Sequence, residues 1–157
     1  MKKNETLSVK TNKKQHKCCP QNIGQPTRKK FDEYFSKFGL FTNNSTNEDD
    51  NLRKKFIINN IKIILKEYYK HLFCCDYLLW IYLEKGEFQY ILLSKKMIDN
   101  YLFYENKFSF TQNTDTWNES STVKYNNLSI GEFQVHNNRD NIKFRFNLKN
   151  LIKIIGY

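Results

Sequence analysis

Glycine and proline are scarce, five and two in 157 residues. No glycine-rich phosphate loop, GxSxG turn, HExxH pair or EF-hand loop occurs. These gaps argue against P-loop nucleotide chemistry, serine-hydrolase catalysis, zinc-protease catalysis and calcium sensing by those routes. Long apolar runs are missing too. The best stretches, "FIINNIKIIL" and "YLLWIYL", are too short and too interrupted to span a bilayer, and the N-terminus lacks the apolar segment of a signal peptide. The expectation is a cytoplasmic protein with no membrane partner. Acid is also in deficit, 16 Asp and Glu against 26 Lys and Arg. Within residues 1–30 the single acid Glu5 faces nine cations: Lys2, Lys3, Lys10, Lys13, Lys14, Lys17, Arg28, Lys29 and Lys30. A polyanion is the natural partner, and nucleic acid fits best because phosphate neutralisation releases counterions. A solvated surface rich in Lys and Asn would have the same composition.

The four cysteines form two adjacent pairs, Cys18-Cys19 and Cys74-Cys75, shortly after His16 and His71. Vicinal cysteines chelate zinc poorly, because tetrahedral sites use C-x₂₋₄-C spacing, so reduced and partly buried thiols are expected.

With 39% hydrophobic and 16% aromatic residues, the chain can bury the core of one domain over residues 1–157. "ETLSVKTNKK" reads as a strand that sends Leu7 and Val9 to one face and Thr6, Ser8 and Lys10 to the other. An apolar back would thus lift Lys10 into a polar cleft. A loop with both prolines follows, then a helix over "PTRKKFDEYFSKF", with Thr27 as N-cap and Phe31, Tyr34, Phe35 and Phe38 along one side. Residues 39–50 are polar, acidic and aperiodic, which predicts a mobile loop. A longer helix is expected from about Asn51 to Phe73, with Phe56, Ile57, Ile61, Ile64, Leu65 and Tyr68 as its buried stripe. "DYLLWIYLEKGEFQYILL" reads as two strands joined across Lys85-Gly86, the first central. A short helix is expected from about Ser94 to Tyr104, then strands at "STVKYNN", "SIGEFQVH" and "NIKFRFNL" and a final helix "LKNLIKII". The fold class is α/β, a mixed central sheet flanked by helices.

"LSVKTNKK", then "CCPQNIGQPTRKKF", a long helix, an apolar strand and a closing "IGEFQVHNNRDNIKFRFNLKNL" resemble type II restriction endonucleases of the PD-(D/E)xK nuclease superfamily. The resemblance implies a restriction-endonuclease-like sheet and Mg²⁺-dependent, site-specific hydrolysis of duplex DNA. In that family an Asp on one strand and an acid-x-Lys on the next hold the metal and the attacking water. The acids bind a hard cation through oxygen, and the lysine activates water or stabilises developing charge. Lys10 matches the lysine and Ser8 stands at the acid position, a departure that leaves only a hydroxyl for the metal. Glu5 is a weak substitute ligand, since the strand period places it opposite Lys10. A surface lysine at the end of an edge strand is the plain alternative for Lys10.

The family's metal-binding Asp lies on a preceding strand, and here four residues precede Glu5. The chain thus resembles the C-terminal portion of such an enzyme and is expected to be incomplete at its N-terminus. It would be a truncated product, a remnant of a frameshifted gene, or one chain of two, the other encoded upstream. Homodimerisation is implied too, since two-fold proteins match palindromic sites.

DNA contacts are expected from two regions. "QNIGQPTRKK", with Gln21, Gln25, Arg28 and Lys29, joins amides and cations to a helix N-terminus, and Lys13 and Lys14 precede it. In "GEFQVHNNRDNIKFRF" the polar residues Gln134, His136, Asn137, Asn138, Arg139, Lys143 and Arg145 could bond bases and phosphates, while Phe133, Val135, Ile142, Phe144 and Phe146 face the other way. An ordinary half-buried hairpin has the same alternation. The rival reading of the whole is a non-catalytic basic module for DNA or RNA.

Overall fold

The computed structural model describes residues 4–12, 16–98 and 101–156. Among the described residues eight strands and five α-helices follow one another. They are β1 (Leu7–Asn12), β2 (Lys17–Cys18), α1 (Arg28–Phe35), α2 (Asp50–Asn59), α3 (Ile61–Leu72), β3 (Tyr77–Glu84), β4 (Glu87–Ser94), α4 (Lys95–Ile98), β5 (Phe108–Phe110), β6 (Ser120–Tyr125), β7 (Leu128–Val135), β8 (Ile142–Asn147) and α5 (Leu148–Ile155). The class is α/β, but the single mixed sheet expected from the sequence is two sheets. A three-stranded sheet has the order β1-β3-β4, and a five-stranded antiparallel sheet has the order β2-β8-β7-β6-β5. The division follows from chain order: β1 pairs in parallel with β3 across the three intervening helices, whereas β5 to β8 form a meander of short connections.

Local chemistry explains most element boundaries. The Thr27 hydroxyl caps α1 by accepting from the Lys30 N–H at 3.3 Å. Lys85 and Gly86 both have positive φ, 53° and 86°, as a tight two-residue hairpin between β3 and β4 requires. The long helix expected over Asn51–Phe73 is broken in two. At Asn60 the backbone leaves helical geometry, and its side-chain amide donates to the Phe56 carbonyl at 3.0 Å, competing with the helix for that acceptor. The apolar stripe survives the break, since Phe56, Ile57, Ile61, Ile64, Leu65 and Tyr68 are all buried. Of the helix expected from about Ser94 to Tyr104, the described residues show the turn α4, with 101–104 non-helical and 99–100 outside the described residues. The short strands β2 and β5 had no period long enough to read.

The core lies where α1 and α3 cover the inner face of the five-stranded sheet. Tyr68 of α3 stacks on Phe144 with ring centroids 4.7 Å apart and meets Phe133 edge-on at 5.8 Å, while Phe35 of α1 packs against Tyr68. Phe144 also lies over Gly131, where an added Cβ would come within 2.5 Å of the ring. A glycine there is therefore a packing requirement. As the alternation predicted, Phe133, Val135, Ile142, Phe144 and Phe146 are fully buried.

A buried ionic network pins the helices to one another. Arg53 donates to both oxygens of Asp32 at 2.8 and 2.6 Å and to Asp50 at 2.9 Å, and Arg28 donates to both oxygens of Asp50 at 2.9 and 2.7 Å. Burial alone would raise the Asp32 pKa, but hydrogen bonds from Arg53, Ser45 and Thr42 outweigh it and hold that carboxyl below its ordinary value. The segment 39–50 borders this network: Asp49 accepts from the N–H groups of Asn43 and Asn44 at 3.0 Å, and the Thr46 carbonyl accepts from Arg53 at 2.5 Å.

Candidate functional site

Strand β1 presents its polar side to the interior of the molecule. Ser8 is buried, and its hydroxyl accepts from the Gln21 side-chain amide at 3.0 Å. Lys10, two residues on and therefore on the same face, is half-buried and donates from Nζ to the Cys19 carbonyl at 3.2 Å. The opposite side of the strand, Leu7 and Val9, is bare, 54% and 52% exposed. Period two shows which residues share a face and is silent on which face is covered. Here the polar face is the covered one.

Cys19 joins the two halves of the candidate site. Its thiol pKa is pushed up by burial and pulled back by the positive charges of Lys143, Arg145 and Lys10, so cations from β8 and β1 converge on one loop. That loop runs beside β8, with the carbonyls of Gly24 and Pro26 accepting from the N–H groups of Phe144 and Ile142 at 2.8 and 3.0 Å. Ser8 and Lys10 are thus tied to the Cys19–Gln21 segment by hydrogen bonds, and the charges of Lys143 and Arg145 reach the Cys19 thiol.

The other candidates are dispersed or already engaged. Arg28, expected to contact DNA, is buried and donates to Asp50 and to the carbonyls of His136 and Arg139, both at 2.8 Å. It nonetheless borders the open depression formed by the turn that follows His136. Gln25 and Lys29 are exposed at the start of α1, and Lys29 lies 4.0 Å from Glu33. Asn137, Asn138 and Arg139 form an exposed turn which, with Ser45, Thr46 and Asn47, lines an open polar depression of about 340 Å³. His136 is half-buried, with Nδ1 3.9 Å from Glu119. Lys13 and Lys14 lie outside the described residues.

Glu132 was missed as a site residue, and it tempers the positive charge of the outer sheet face. Lys17 lies 2.5 Å and Arg145 3.4 Å from its Oε2, and Gln134 donates to its Oε1 at 2.7 Å. Burial opposes ionisation, yet the bonds from Lys17 and Gln134 hold the Glu132 pKa below its ordinary value. The antiparallel register that sets Glu132 opposite Arg145 was implicit in the hairpin sequence. Lys17, two residues long in its strand, carried no such signal.

A magnesium ion needs several hard oxygen ligands, carboxylates foremost. Around Lys10 the structure offers the Ser8 hydroxyl, the Gln21 amide and the Cys19 carbonyl. Glu5 is exposed and accepts from the Tyr77 hydroxyl at 3.4 Å, and Asp76 accepts from the Thr6 N–H and hydroxyl at 2.9 and 2.8 Å. Among the described residues no three His, Cys, Asp or Glu side chains are grouped to hold a metal. This donor set does not fit magnesium. The four cysteines are unpaired, and burial pushes the Cys18 thiol up to about 11. Among the described residues no helix is long and apolar enough to cross a membrane.

No family model and no solved structure matches the chain. It is 38% identical over 154 residues to the type II restriction enzyme CviAII of Paramecium bursaria Chlorella virus 1. The match takes in 96% of this chain and 42% of that enzyme, its C-terminal portion. The chain therefore spans less than half the length of the curated relative it matches.

Proposed function

We propose that this chain is the lysine-bearing, DNA-contacting portion of a type II restriction endonuclease with the PD-(D/E)xK arrangement, whose reaction is site-specific hydrolysis of duplex DNA. The observation that carries the reading is the placement of Lys10: on a short strand in a chain similar in sequence to a restriction enzyme, it is half-buried with its ammonium on the Cys19 carbonyl, beside a thiol that also feels the charges of Lys143 and Arg145. In the reaction water attacks phosphorus, the bond to the leaving sugar oxygen breaks, and negative charge grows on the phosphoryl oxygens. A lysine ammonium in a partly buried cleft stabilises that charge more strongly than one in open water. Ser8, held by Gln21, orients the strand face on which Lys10 stands. Magnesium belongs to the proposed activity of the whole enzyme, and the carboxylates to hold it come from a polypeptide segment other than the residues described here.

The exposed turn Asn137–Arg139, together with Lys143 and Arg145, would hold the duplex. Fluorescence anisotropy with a labelled duplex at several salt concentrations tests this. Each phosphate contact contributes about 0.9 to the slope of log affinity against log salt. The pair Arg139→Ala and Lys143→Ala is expected to weaken binding by roughly tenfold and to lower that slope by about 2. Unchanged affinity and slope would remove this surface from the DNA interface.

That no carboxylate cluster occurs among the described residues favours a second reading, a non-catalytic basic module. It separates from the first at Lys10: supplied with the missing segment, the enzyme portion cleaves DNA and its Lys10→Ala variant binds without cleaving, whereas the module cleaves in neither form.

A further inference from the structure

The three-stranded sheet is covered on one side only. Its inner side buries Ser8, Leu78, Trp80 and Leu93. On its outer side the register brings Leu7 and Val9 of β1, and Phe88, Tyr90 and Leu92 of β4, to flank the half-buried apolar residues of β3 between them. These five are 54%, 52%, 71%, 76% and 55% exposed. At roughly 200 Å² per large side chain this is an apolar patch on the order of 600 Å², at the top of the range for the largest patch on a monomer. Strand β1 also has no neighbour on its other edge among the described residues, so its main chain is available to a further strand.

From this face and edge we infer a docking surface for one occupant: the polypeptide that corresponds to the part of the restriction enzyme lying outside the match. The inference rests on the reading of this chain as one portion of such an enzyme and goes further by assigning the surface that joins the portions. Three observations favour that occupant. The relative has more than half of its length outside the match, enough to cover a sheet face. Among the described residues no three His, Cys, Asp or Glu side chains are grouped to hold a metal, and a strand added beside β1 would run along the strand that carries Lys10. A second copy of this chain suits the face less well: two such patches together bury roughly 1,200 Å², only the bottom of the range for stable interfaces, and each copy brings a formal charge of +10 that repels the other.

The test is co-expression of this chain with the unmatched segment of the Chlorella virus enzyme, followed by sedimentation velocity. The expected result is a one-to-one complex whose affinity falls at least a hundredfold in the double variant Tyr90→Glu, Leu92→Glu. Both positions are exposed, so the variant is expected to keep the circular dichroism and melting temperature of the parent. A homodimer broken by the same double variant would make a second copy the occupant and overturn the inference. So would a complex indifferent to the double variant, or a chain that stays monomeric beside the segment. A complex that forms as expected but leaves DNA uncut would retain the docking surface and defeat the nuclease reading instead.

Discussion

The five-stranded and three-stranded sheets differ in what they need. In the larger, β7 and β8 turn Phe133, Val135, Phe144 and Phe146 onto α1 and α3, and its outer face is polar, with Lys17, Glu132, Gln134 and Arg145 paired among themselves. Both sides are thus complete within the chain. In the smaller, one side closes over Trp80 while the other carries Phe88, Tyr90 and Leu92 into solvent. Apolar content alone does not distinguish the two; alternation does. A sheet whose second face alternates to polar residues is finished, and one apolar on both faces is waiting for another layer.

Substitutions should reproduce that difference. Phe144→Ala removes a fully buried ring from the complete sheet and is expected to cost about 3–5 kcal/mol in urea unfolding. Asp32→Ala, which leaves the buried Arg53 guanidinium short of a partner, should cost about 3 kcal/mol by the same measurement. The network also sets a pH dependence. The folded-state pKa values of Asp32 and Glu132 lie below their ordinary values, so their contribution is fully present above the ordinary carboxylate range and is lost as pH falls through it toward the lower folded values. Melting temperature should therefore decline below about pH 4, and the decline attributable to Asp32 should vanish in Asp32→Ala. The smallest effect belongs to the bare face: Leu92→Ala should change stability by less than about 0.5 kcal/mol. A cost for Leu92→Ala comparable to that for Phe144→Ala would show that the outer face is already covered in solution.

Much of this was legible in the residues. The hairpin of β7 and β8 followed from strict alternation, the β3–β4 turn from Lys85-Gly86, and the start of α1 from Thr27. The resemblance to a restriction enzyme was carried by the sequence as well. What escaped has physical causes. The break at Asn60 depends on one side-chain hydrogen bond within a continuous apolar stripe. The division into two sheets depends on long-range pairing that no local pattern encodes. Arg28, in a run of cations beside a helix start, gives no local sign of its partner Asp50, 22 residues away. The exposure of Leu7 and Val9 was hidden because an apolar strand face implies a covering layer without saying which polypeptide supplies it.

The central claim is that this chain holds the lysine side of a nuclease centre and that another segment completes it. Incubating a mixed plasmid substrate with Mg²⁺ and this chain, with and without the unmatched segment of the Chlorella virus enzyme, tests it most directly. The account expects intact plasmid from the chain alone, discrete fragments from the pair, and intact plasmid again when the chain carries Lys10→Ala. Fragments from the chain alone, or from the pair despite Lys10→Ala, would contradict it.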